Sequence, residues 1–125
     1  MNTFVVHKHE ALRAGLHHDL RLERNGVLKS WAVPKCVPEE LGVRRLAKQV
    51  EDHALSYGKF EGKIPKGQYG AGKVRIWDRG TYETKFWGDT KIEVAFYGKR
   101  LSGEYVLRWM ERMNSWLLWK KADAK

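Results

Sequence analysis

Asn25-Gly26 is the pair of residues that most narrows what this chain can fold into. Both central positions of the favoured two-residue hairpin turn need positive φ, which Gly accepts freely and Asn tolerates better than most residues. The flanking segments, LHHDLRLER at 16–24 and VLKSWAV at 27–33, alternate in the manner of half-buried strands. An antiparallel hairpin follows, and counting outward from the turn fixes its register. Arg21 falls opposite Ser30, Leu20 opposite Trp31, Asp19 opposite Ala32 and His18 opposite Val33.

The rest of the chain repeats this theme. VVHKH at 5–9 precedes the hairpin, and KVRIWD, TYETKFW, KIEVAFY, EYVLRWM and WLLWKK follow it. Arg79-Gly80, Gly88-Asp89, GKRLSG and ERMNS separate the later segments as turns. Many short strands at short spacing predict a mainly β fold: a small single-domain β-barrel, or a sandwich, of short antiparallel strands with at most one or two short helices. The one helix expected lies in PEELGVRRLAK, where Pro38 and two acids suit a first turn and Gly42 counts against it. The length of 125 residues fits one domain, with a core over about 4–119 and a basic tail at 120–125. Six Trp, five Tyr and four Phe within a 42% hydrophobic composition can furnish that core. The longest apolar runs are too short to span a bilayer and the N-terminus lacks a signal-peptide core, so a soluble cytoplasmic protein, without membrane partners, is the expectation. Cys36 is the only cysteine, which excludes an internal disulfide and any multi-cysteine zinc site.

Twenty-four Lys and Arg against fifteen Asp and Glu leave a formal charge of +9. A charge this large on a small domain suits a polyanionic partner, most often nucleic acid. The basic residues are spread along the chain, which favours a folded basic surface over a basic arm. The glycine-rich stretch GKIPKGQYGAG (62–72) could bring backbone amides to a phosphate, but no helical pattern follows it and a structural loop is the simpler reading.

The histidines carry more information. Four of the five lie between residues 7 and 18. With period two, Leu16, His18, Leu20 and Leu22 share one strand face, and His17, Asp19, Arg21 and Glu23 share the other. His18 is thereby a core-facing histidine. His17 and Asp19 can offer an imidazole nitrogen and a carboxylate oxygen to one cation. The cross-strand neighbours of Asp19 and Arg21 are small, so this polar face has room above it. The same rule places Glu51 with His53, and His7 with His9. These residues taken alone leave a metal or catalytic site and an ordinary polar surface both open.

The runs KHEALRAGLHHDLRLERNGVLKSWAVPK and RRLAKQVEDHALSYGKFEGKIPKGQYGAGKVRIWDRG resemble the 3′-phosphoesterase domain of bacterial DNA ligase D and its stand-alone bacterial and archaeal relatives. The shared motifs (H-x-DLRLE, LKSWAVPK, VEDHxLxY, FEGxIPxGxYGAG, WDRG) are long, ordered and spread from Phe4 to about Trp119. The resemblance implies a small β-barrel that processes 3′ ends with a divalent metal, typically Mn²⁺, with Co²⁺ or Zn²⁺ as substitutes. It implies removal of a 3′-terminal ribonucleoside to leave a 3′-phosphate, then hydrolysis of that phosphate to a 3′-hydroxyl. The implied partners are DNA or RNA–DNA 3′ ends, with a separate ligase or polymerase of end joining, for a free-standing, monomeric protein. Carried over by motif, the metal ligands are His9, His17 and Asp19, and Arg21, Lys35, Arg45, Glu51, His53 and Tyr57 occupy the family's other functional positions. His9 and His17 stand eight apart, two more than the family's usual spacing. Residues 13–16 hold the insertion, and His7 is the alternative ligand.

Such a set makes chemical sense. Two imidazoles and a carboxylate leave open positions on a cation, which can bind a phosphate oxygen as a Lewis acid. Arg21 offers a planar fork of donors suited to phosphate. His53 suits stabilisation of the phosphoryl transition state or protonation of the leaving oxygen, and Glu51 the orientation of a base or a sugar hydroxyl. The competing reading is a non-catalytic nucleic-acid-binding β-barrel with a basic and aromatic surface. A structural zinc site fits less well, because three ligands beside an arginine look open rather than closed.

Overall fold

The computed structural model describes residues 1–122. Nine strands form one sheet: β1 (Asn2–Ala11), β2 (Gly15–Arg24), β3 (Val27–Pro34), β4 (Arg44–Ala54), β5 (Gly62–Ile64), β6 (Gly72–Trp87), β7 (Lys91–Gly98), β8 (Ser102–Met110) and β9 (Ser115–Lys120). Neighbours run in the order β1-β2-β3-β4-β9-β8-β7-β6-β5, every pair antiparallel. A further β1–β6 pairing closes eight of the strands into a barrel, with β5 added outside on β6. Closure leaves the barrel itself without a free edge.

The Asn-Gly turn forms as expected, with φ of 53° at Asn25 and 81° at Gly26. The hairpin register also agrees: Arg21 pairs with Ser30, Leu20 with Trp31, Asp19 with Ala32 and His18 with Val33. One face of each strand fills the barrel with Phe4, Val6, Leu20, Leu22, Trp31, Val33, Phe96, Tyr105 and Leu118, all at most 2% exposed. His18 lies on this inner face, where its Nδ1 accepts a hydrogen bond from the Val37 backbone N–H at 3.0 Å.

Three expectations about elements are corrected. The helix in PEELGVRRLAK is absent. Residues 38–43 are a connection, with Gly42 at φ +82°, and the next residue opens β4, which pairs with β3 and β9. Without β4 the barrel would have two open edges, so strand pairing overrides local helix propensity. The only helical turns among the described residues are 3₁₀, at Leu55–Lys59 and Glu111–Met113. Arg79-Gly80 is not a turn: β6 runs straight through it. A Cβ on Gly80 would sit 2.3 Å from the Tyr97 carbonyl oxygen, so glycine there serves a close strand approach. Finally, the basic segment from 120 begins inside the sheet, since Lys120 ends β9 and Lys121 pairs with Glu93 at 3.2 Å. Residues 123–125 of that segment lie outside the described residues.

The outer wall of β1–β3 is covered in part as well. The chain from Leu55 to Ala71 folds across it as a strap, so close that a Cβ on Gly58 would touch Leu28 and Val5. A bulge in β4 places both Glu51 and Asp52 opposite the single step from Leu28 to Ser30. That extra residue turns His53 onto the outer wall, paired with Leu28. Asp78 is structural: its carboxylate accepts the backbone N–H groups of Lys99, Arg100 and Leu101 at 2.8–3.0 Å and holds the β7–β8 turn.

Candidate metal centre

His9 and His17 are direct partners across the β1–β2 hairpin, and Asp19 follows His17 on the same face. The eight-residue spacing that looked irregular is what this register needs. Gly15, at φ +75°, completes the tip of the hairpin. The ligand atoms of His9, His17 and Asp19 all lie within 4.8 Å of one another. His9 Nδ1 is 3.4 Å from Asp19 Oδ2, and His17 Nε2 is 3.3 Å from Asp19 Oδ1.

Backbone carbonyls determine which imidazole nitrogens face inward. His9 Nε2–H donates to the Gly70 carbonyl at 2.7 Å, and His17 Nδ1–H donates to the Gly15 carbonyl at 3.3 Å. In the neutral imidazoles this leaves His9 Nδ1 and His17 Nε2 as lone pairs aimed at a carboxylate. Three acceptors converging in a buried place need a cation between them or protons on the rings. Without a cation, hydrogen bonding to Asp19 raises the His17 pKa against the opposing effect of burial. Burial pushes Asp19 up, but the two imidazoles and Arg21 outweigh it and hold the carboxyl well below the usual range. A divalent ion would substitute for those protons. Each ring's second N–H fixed by a carbonyl is the arrangement that orients histidine ligands. The donor set therefore fits a metal, with two nitrogens and one oxygen suited to Mn²⁺, Co²⁺ or Zn²⁺.

His7 does not join this cluster, although it shares the face. Its Nδ1 accepts from Arg21 Nε at 3.0 Å and its Nε2–H donates to the Phe60 carbonyl at 3.1 Å. Burial, reinforced by Arg21, lowers its pKa to about 4, so it is a neutral support. Arg21 is 4% exposed and is held from three directions. Besides His7, Nη1 donates to Ser30 Oγ at 2.8 Å and Nη2 lies 3.5 Å from Asp19 Oδ2. Tyr57 covers the guanidinium at 4.9 Å and stacks on His53 with ring centroids 4.4 Å apart. Burial, then Arg21, lowers the His53 pKa, while burial raises that of Tyr57.

Arg21, His53 and Tyr57 thus gather beside the metal cluster, and three other sequence candidates do not. Glu51 is exposed in the β4 bulge and makes no hydrogen bond or ion pair among the described residues. Lys35 is exposed just after β3, at φ +76°, next to Pro34, the cross-strand partner of His17. Arg45 pairs with Leu118 and lies two residues from Ala47, which the register puts on the barrel-interior side of β4. Its Nε is buried without a partner.

Sequence reasoning missed the carbonyls of Gly15, Phe60 and Gly70 and the Ser30 hydroxyl as supports. Ser30 was visible as the partner of Arg21 in the hairpin register. The two strap carbonyls had no signal beyond the glycine-rich motif, whose structural role they explain. Gly70 (φ +78°) turns its carbonyl to His9, and a Cβ on Gly72 would meet the Glu10 carbonyl oxygen at 2.1 Å.

A closed antiparallel barrel whose outer wall carries a donor cluster that fits a cation, beside a buried arginine, defines a class of site suited to an anionic ligand. The match to known proteins narrows this class. The family model described as the DNA Ligase D 3′-phosphoesterase domain matches residues 7–108, and the chain belongs to that family. The multifunctional non-homologous end joining protein LigD of Mycobacterium bovis is 54% identical over 110 residues, covering 85% of this chain and 14% of that protein. The LigD proteins of Mycolicibacterium smegmatis and Pseudomonas aeruginosa are 44% and 45% identical, each over 98% of this chain and covering 17% and 15% of those proteins. The chain thus spans 14–17% of the length of these relatives.

Proposed function

We propose that this chain is a metal-dependent 3′-phosphoesterase acting on nucleic-acid ends in DNA repair. In this reading it removes a 3′-terminal ribonucleoside to leave a 3′-phosphate and hydrolyses that phosphate to a 3′-hydroxyl. The observation that carries the reading is the convergence of three acceptors, His9 Nδ1, the half-buried His17 Nε2 and Asp19, beside the braced Arg21. Those three residues would hold the metal, Mn²⁺ in this reading, which would supply Lewis acidity toward a phosphate oxygen. Family membership and end-joining relatives support the choice of a 3′ end as substrate.

The other roles belong to the chain's own groups. Arg21, neutralised in part by Asp19 and pinned by His7 and Ser30, presents a fixed positive charge to the phosphoryl group. His53 stands over Tyr57 at the edge of the same face and suits proton donation to the leaving oxygen. Tyr57 and the strap exclude water from one side. A non-catalytic binding barrel would not need a buried arginine held at three points.

The test is a labelled duplex primer ending in one ribonucleotide, incubated with and without Mn²⁺, with the products sized. Loss of the terminal nucleoside, followed by loss of the 3′-phosphate, is expected with Mn²⁺ only. An unchanged primer under both conditions would overturn the proposal.

A further inference from the structure

The strap covers only part of the outer wall. Val5, His7, Arg21, Ser30 and Leu28 lie at or beneath it and are at most 4% exposed. The rows on the β3–β4 side are open: Pro34 and Lys48 are exposed and Ala32 is half-buried. Asp19 pairs with Ala32 on β3, and Ala32 pairs with Lys48 on β4, so all three share one face in one row. Neighbouring strands are about 4.8 Å apart, which sets the Lys48 backbone about 10 Å from that of Asp19. Only the Ala32 methyl group stands between them, and the four-carbon lysine stem covers most of that distance. Lys29, Lys85, Lys91 and Lys121 are each ion-paired, whereas Lys48, like Lys35 beside Pro34, has no carboxylate partner among the described residues. The adjoining pair on this face, Ser30 with Val50, and Pro34 two residues beyond Ala32 carry no acid. A low-relief floor with a free cation, running from the edge of the metal centre, matches an extended polyanion.

We infer that the open shelf of Ala32, Pro34 and Lys48 seats the phosphodiester backbone of the strand whose 3′ end enters the metal centre, with Lys48 neutralising one internal phosphate. This rests on the proposed 3′-end chemistry and adds the path by which the strand arrives.

The test measures binding without turnover. Fluorescence anisotropy of a labelled duplex primer with a 3′-phosphate is followed against metal-free protein in EDTA from 50 to 200 mM salt, values chosen as roughly the range over which phosphate contacts are lost. Lys48→Gln should bind about fivefold more weakly at low salt and lower the slope of log affinity against log salt by about 1, with an unchanged melting temperature. Lys48→Arg should restore the slope, and Lys85→Gln, on β6, should leave it at the wild-type value. An unchanged slope in Lys48→Gln, an equal loss in Lys85→Gln, or no rescue by arginine would each overturn the shelf. Failure of the wild-type protein to bind the primer would instead overturn the 3′-end reading on which the shelf rests.

Discussion

The inner face of the β1–β2–β3 sheet is buried and the outer face is partly covered by the strap, and the two are built for opposite purposes. The inner wall is apolar and tightly filled: Val6, Leu20, Leu22, Trp31 and Val33 are fully buried in the barrel. Its single histidine, His18, has its acceptor satisfied by a backbone N–H and is kept neutral. The outer wall directly behind it carries His7, His9, His17, Asp19, Arg21 and Ser30, buried or nearly so beneath the strap. There the polar groups satisfy each other only in part, and the unsatisfied remainder converges on one point. His17 and His18 are adjacent in sequence and illustrate the whole difference. One-residue alternation separates a candidate ligand from a core side chain.

Substitutions on the two walls should therefore separate function from stability. The largest effect is expected from Asp19→Asn, which removes the charge at the centre of the acceptor cluster. Mn²⁺ binding measured by calorimetry should vanish and turnover should fall by more than about 100-fold, while the melting temperature stays near that of the wild type. Retained Mn²⁺ affinity would erase the distinction between the walls. Leu20→Ala, one residue away on the inner wall, should do the reverse. Chemical denaturation should show a loss of about 2–5 kcal/mol, with metal binding per folded molecule unchanged.

His7→Ala tests the difference between a support and a ligand on the outer wall. Arg21 would lose its Nε partner, so activity should fall about 10- to 100-fold while Mn²⁺ affinity changes little. Loss of metal binding in His7→Ala, with retention in His9→Ala, would reverse their assignments. The smallest effect concerns His18. Burial, with Lys8 nearby, lowers its pKa from 6.5 to about 4. Above pH 6.5 it is neutral whether folded or unfolded, and its protonation does not affect stability. Between 6.5 and 4 only the unfolded chain takes up the proton, so stability falls with pH, by about 1 kcal/mol at pH 5.5. His18→Gln should flatten that segment of the stability curve in urea titrations. An NMR titration that gave His18 an ordinary pKa would show that the inner wall is not as dry as its packing indicates.

Strand alternation and a turn that requires positive φ are local properties. They suffice to place Asn25-Gly26, the β2–β3 register, the core-side His18 and the shared face of His17, Asp19 and Arg21. They also indicate a barrel or sandwich of antiparallel strands, because so many short strands need partners. The sequence by itself could not determine which strand would close the barrel. It therefore suggested a helix where β4 forms and a turn where Gly80 keeps β6 continuous. Nor could it decide between His7 and His9, since both face outward and both lie within reach. That choice depends on the carbonyls of Phe60 and Gly70, more than fifty residues away in the chain. The same holds for His53, brought to the outer wall by a bulge, and for Arg45, turned inward by its pairing with β9. Local pattern sets which side of a strand a residue faces. Only the tertiary structure decides which distant backbone groups meet it there, because those hydrogen bonds exist only once the strap has folded over the barrel.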